Sequence, residues 1–147
     1  MRQLHHFTRH APAVAYLGLG LTIGFLAHQA IAAAPAPTEH AGLSVAKLGV
    51  LSEKSIKATT GLDGYIMQLR MITIAPGGQI ARHDHATRPG LVKVLQGEWI
   101  EGRPEGERSY TADGADGILE DDNTVHWFFN RGDTAAKAVV CDLTPAK

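Results

Sequence analysis

The chain has a single cysteine, Cys141, so no disulfide can form within it, whatever compartment it reaches. It sits in the apolar run Ala138-Val139-Val140-Cys141, where a small buried hydrophobe is the ordinary role. An excess of charge of one sign is also lacking. Against 15 Asp and Glu stand 14 Lys and Arg, a formal net charge of −1 over 147 residues. That balance excludes the basic surface with which a nucleic-acid binder neutralises phosphates. Nor is there an internal repeat or an amphipathic helical period, which argues against solenoids and helix bundles.

Charge is absent altogether from Ala11 to Ala27, a stretch rich in Val, Leu, Ile and Phe. Before it, Met1 to His10 carries Arg2 and Arg9 and no acidic residue; after it comes Ala30-Ile31-Ala32. A basic start, an apolar middle and an A-x-A site are the parts of a secretory signal. Residues 1–32 are therefore expected to form a signal peptide or, uncut, a membrane-anchoring helix. Either way the remainder is exported to the periplasmic or extracytoplasmic side. Residues 33–60, with Pro35, Pro37 and Gly42, read as a linker and N-terminal extension. The domain proper is expected over 61–147, a common size for one core.

Within that domain, short strand-like runs alternate with glycine-rich turns. From Tyr65 to Ile74 the chain alternates, with Gln68, Arg70, Ile72 and Ile74 on one side, until Ala75-Pro76-Gly77-Gly78 stops the strand. Leu91–Leu95 and Trp99–Glu101 outline a hairpin bent at Gln96-Gly97-Glu98. A further strand lies around Val125–Phe129, and Lys137–Leu143 supplies the last. Many short strands with such turns predict an all-β sandwich or barrel.

Two clusters stand out against this background: His83-Asp84-His85 and His126-Trp127-Phe128-Phe129-Asn130. Residues two apart on a strand share a face, so His83 and His85 aim into one interior that His126 can join. Imidazole nitrogen suits zinc, iron, copper or nickel. Gly77, five residues, His83, one residue, His85 and then Gly97 resembles the first motif of the cupin family. His126 and Asn130, in an H-x-x-x-N pattern, resemble the second. The likeness spans about Tyr65 to Leu143 and is to the single-domain, type-2 cupins.

That resemblance implies an antiparallel jelly-roll β-barrel holding a divalent transition metal on His83, His85 and His126, with Fe(II) expected ahead of Zn, Mn, Ni or Cu. Many cupins add a glutamate ligand shortly after the second histidine, but here Pro89 and Gly90 hold those places. Three neutral imidazoles would leave the ion's charge uncompensated, favouring an anionic or chelating substrate. Some thiol- and diketone-cleaving cupin dioxygenases resemble such a three-histidine set.

Glu120, six residues before His126, reads as a solvated member of an acidic loop. The other reading is a carboxylate that turns inward or serves as a general base. Gln68 and Arg70 are further catalytic candidates, as a polar pair on a central strand. The functional expectation is a metal-dependent, dioxygenase-like oxidoreductase acting on a small molecule; the alternative is a non-catalytic metal- or ligand-binding cupin. The resemblance allows a homodimer that would cover an exposed sheet edge, with a membrane tether if the N-terminal segment is retained.

Overall fold

The computed structural model describes residues 35–146. The signal or anchor expected over residues 1–32 lies outside them. No helix among the described residues is long and apolar enough to cross a membrane. The order of elements is β1 (Ala41–Leu51), α1 (Glu53–Thr60), β2 (Tyr65–Asp84), β3 (Gly90–Gln96), β4 (Glu98–Arg103), β5 (Gly106–Thr111), β6 (Ile118–Glu120), β7 (Val125–Phe129) and β8 (Ala136–Pro145).

The strands pair antiparallel in the order β5-β4-β7-β2-β8-β3-β6, with β1 added to β2. The result is a nearly closed β-barrel of jelly-roll kind. Its continuity rests on β2, which serves two walls. Tyr65 to Ile74 pairs with β8 on one edge and β1 on the other, whereas Gln79 to Asp84 pairs with β7. The sequence Ala75-Pro76-Gly77-Gly78 therefore bends the strand rather than ending it. Gly77, at φ 69°, takes the corner that a β-carbon would resist. Its N–H donates to the Asn130 carbonyl, and the Asn130 N–H donates to the Gly78 carbonyl. The bend is thus tied to the end of β7.

The expected hairpin at Gln96-Gly97-Glu98 is a crossover. β3 pairs with β6 and β8, while β4 pairs with β5 and β7, so the chain leaves one wall for the other at Gly97. Gly97 has φ 69°, and a β-carbon there would sit 3.1 Å from Ala136. The extension before residue 61 is more regular than its composition suggests. β1 lies along β2, and α1 begins at Ser52, whose Oγ accepts from the Ser55 N–H. The helix ends at Gly61, in the left-handed conformation that closes many helices. Only Ile56 of α1 is buried, so the helix has too narrow an apolar face to show as a period.

The core fills the space between the two walls. Ile72, Ile74, Val92, Val94, Ile118 and Val140 come from one side, and Ile80, Trp99, Tyr110 and Phe128 from the other. Trp99 and Phe128 meet with ring centroids 5.0 Å apart at 59°, a tilted contact of the favourable kind. Truncating a core ring of this type costs about 3–5 kcal/mol. Such packing makes the barrel a rigid frame for the polar groups set into it.

Candidate metal centre

The histidines owe their direction to an irregularity in the β2–β7 ladder. Ile80 pairs with Phe128 and His83 with His126, so β2 carries one residue more than β7 between these pairs. This bulge shifts the alternation, and Ile80 and His83 both line the interior cavity although they are three apart. Backbone groups in the bulge are satisfied from the N-terminal segment. The Arg82 N–H donates to the Pro37 carbonyl, and the Ala81 N–H donates to His40 Nδ1. His85 follows the end of β2, its N–H donating to the Thr124 carbonyl just before β7.

Each ring is oriented through its Nδ1. His83 Nδ1 lies 2.8 Å from the Ala81 carbonyl, His85 Nδ1 2.8 Å from the Arg88 carbonyl, and His126 Nδ1 2.7 Å from Glu101 Oε1. All three partners are acceptors, so each Nδ1 carries the proton and each Nε2 presents a lone pair. These lone pairs converge: His126 Nε2 is 3.0 Å from His85 Nε2 and 3.1 Å from His83 Nε2. Burial pushes His83 and His85 down to about 4, so both rings stay neutral near pH 7 and their Nε2 atoms could serve a shared cation.

Glu120 completes the group. It is only 5 % exposed, not solvated, with Oε1 3.6 Å from His126 Nε2 and Oε2 3.4 Å from His85 Nδ1. Oε2 has no hydrogen-bond partner, and burial pushes this carboxyl up to about 7. One ligand atom from each of His83, His85, Glu120 and His126 falls within 4.8 Å of all the others. Such a set could hold a metal ion, and the unpartnered carboxylate oxygen is the kind of orphan a cation would satisfy.

Behind His126 lies Glu101, buried and bridged to Arg103, whose Nε donates at 2.9 Å, and to the Tyr110 hydroxyl at 3.3 Å. Burial alone would raise this carboxyl, but the hydrogen bonds from His126 and Arg103 more than offset it and hold it below the usual range. In front lies a cavity of about 280 Å³, lined by His40, Arg70, His83, Arg88, Glu120 and apolar residues including Trp99 and Phe128. A larger, charged groove of about 840 Å³ runs beside Arg103, Glu105, Arg108 and Asp116, and touches none of the histidines.

Arg70 reaches the cavity, but Gln68 is not among the residues that line it. Asn130, buried, is a turn residue: its amide donates to the Ile74 and Thr134 carbonyls and accepts from the Gly132 N–H. His40, to which sequence reasoning gave no site, is at the cavity because β1 folds back along β2. Nothing local marks it. The role of Glu101 was likewise invisible, although its place on a strand rich in apolar residues is a signal that a buried charge needs a partner.

Residues 70–142 match the Cupin_2 family model, described as a cupin domain. The chain belongs to the cupin family. Solved cupin structures superimpose on it at low identity. The Cupin_2 domain of an XRE family transcriptional regulator from Enterobacter cloacae shares 16 % identity at a TM-score of 0.53, covering 73 % of this chain and 100 % of that one. A predicted oxalate decarboxylase from Thermotoga maritima shares 16 % at 0.54, covering 74 % and 93 %. The Schizosaccharomyces pombe Cnp3 cupin domain shares 14 % at 0.55, covering 73 % and 69 %. At these identities they support the fold alone. A comparison with curated proteins gives no match.

Membership in the family sharpens the question of the absent glutamate. In this cupin Gly90, at one of the glutamate's places in the first motif, pairs with Glu120 across β3 and β6. A β-carbon on Gly90 would lie 2.5 Å from Glu120 Oε2. The space that a side chain at Gly90 would need is therefore filled from the adjoining strand. The expectation of a cluster without a carboxylate is corrected: the carboxylate comes from β6.

Proposed function

We propose that this cupin is an exported, metal-dependent oxidoreductase of dioxygenase type, acting on a small organic substrate. His83, His85, Glu120 and His126 would hold one divalent transition ion, Fe(II) ahead of Zn, Mn, Ni or Cu. The observation that carries the reading is the convergence of the His83, His85 and His126 Nε2 atoms beside a buried carboxylate. Separations of 3.0 and 3.1 Å from His126 Nε2 to the other two Nε2 atoms are short enough for one ion to be shared among the rings.

When bound, such an ion supplies Lewis-acid and one-electron chemistry at the positions the protein leaves open. The chain's residues do the rest. The Ala81 and Arg88 carbonyls and the Glu101 carboxylate fix the tautomers and make the rings better donors. Trp99, Phe128, Ile72 and Ile80 wall the cavity and restrict water. Glu120 brings one negative charge against the ion. Export rests on the N-terminal pattern of residues 1–32, and a homodimer would cover the outer edge of β1, where Val45, Val50 and Leu51 are exposed.

Oxygen uptake by the iron-loaded protein with a panel of diketones, flavonols, small thiols and small carboxylic acids tests the catalytic part. At least one class is expected to drive uptake that His126→Ala abolishes. Stoichiometric iron with no uptake on any member would make the protein a binding module instead.

A further inference from the structure

Two arginines at the cavity share a single carboxylate. Arg70, from β2, donates through Nη2 to Asp142 Oδ2 at 2.6 Å, and Arg88, from the turn after His85, donates through Nη1 to the same oxygen at 3.2 Å. The Asp142 side chain is wholly buried, and the arginine side chains are only 17 % and 30 % exposed. One positive charge is thus left over in a confined space. Charges kept out of water are ordinarily matched one to one, because desolvating an unmatched one is costly.

The unmatched capacity is directional as well. Arg70 Nε is buried without a hydrogen-bond partner. Arg88 spends only Nη1 on Asp142, so a second face of its guanidinium remains available. Both arginines line the same 280 Å³ cavity as His83 and Glu120. Glu120, the other acid on that wall, is committed to the ion in the function proposed above.

We propose that Arg70 and Arg88, braced by Asp142, form a carboxylate-binding subsite, and that the cavity takes a small monocarboxylate lying between these arginines and the histidine cluster. This deepens the proposed function and rests on it for the ion. The planar guanidinium fork matches a carboxylate in geometry. One net charge matches a monoanion better than a phosphate. The apolar wall of Trp99 and Phe128 suits a short carbon body, and the volume lies at the small end for ligand cavities.

The test is calorimetric titration of the metal-loaded full chain with pyruvate, lactate and benzoate, each beside its neutral amide, and with inorganic phosphate. At least one acid is expected to bind tenfold or more tightly than its amide and than phosphate. Arg70→Met and Arg88→Met should each lower that affinity at least tenfold with metal content unchanged. Arg70→Met strands a buried Asp142, so Arg70→Lys and the more exposed Arg88→Met provide variants that keep the fold. Arg70→Lys, charged but without the fork, should fall between wild type and Arg70→Met.

Acids no tighter than amides, phosphate binding as tightly, or unchanged affinity in both methionine variants would overturn the subsite. A wild type without metal that still prefers acids through Arg70 and Arg88 would sink the metal reading and leave the subsite standing.

Discussion

Replacing Glu120 by glycine is expected to weaken metal binding roughly 100-fold or more, and adding Gly90→Glu to the same chain is expected to restore most of it. The two positions face each other across β3 and β6, and a side chain at 90 would enter the space now held by Glu120 Oε2. Gly90→Glu alone should be the worst of the set. It forces two carboxyl groups into one buried volume, where overpacking costs about 1–3 kcal/mol and like charges oppose each other. The exchanged pair removes both penalties. Metal affinity by competition with a chelator, with melting temperature as the control for folding, reads all four proteins. Equal affinity in wild type and Glu120→Gly would show that the carboxylate is not a ligand.

Glu101→Ala is expected to weaken metal binding about 10–100-fold without touching any ligand, and to destabilise the metal-free protein by about 3 kcal/mol. Glu101 accepts from His126 Nδ1 at 2.7 Å and from Arg103 Nε at 2.9 Å. Truncation leaves His126, fully buried, with a proton on Nδ1 and nowhere to direct it. The ring is then free to change tautomer and lose its inward lone pair. Glu101→Gln keeps an acceptor but not the charge, so it should fall between alanine and wild type. Chemical denaturation and chelator competition separate the two effects. Undiminished metal affinity in Glu101→Ala would remove Glu101 from the account.

The histidine pair and the downstream His126 were legible because each motif is a local spacing, which a sequence displays, although His85 lies just past the end of β2. The bulge between Ile80 and His83 was not legible, since it exists only as a mismatch between two strands that meet far apart in sequence. Glu120 was misread for a related reason. Beside Asp121 and Asp122 it looks like part of a solvated loop, and only its pairing with Gly90 turns it inward.

The same limit applies to the walls of the barrel. Pro76 and the glycines beside it signal a change of direction, but composition does not distinguish a strand's end from a corner. Gly97 signals a turn, but not whether β3 and β4 pair afterwards. Arg70 was picked out as a polar residue on a central strand, and its cavity position fits that reasoning. Gln68 met the same criterion and is not among the residues that line the cavity, because strand alternation alone does not say how far along β2 the cavity extends.

The most direct test of the central claim is elemental analysis of the untagged protein. About one divalent transition ion per chain is predicted, falling to background in the His83→Ala/His126→Ala double variant while the fold persists. An ion content the double variant retains in full, or a wild type that takes up no ion after reconstitution, would contradict it.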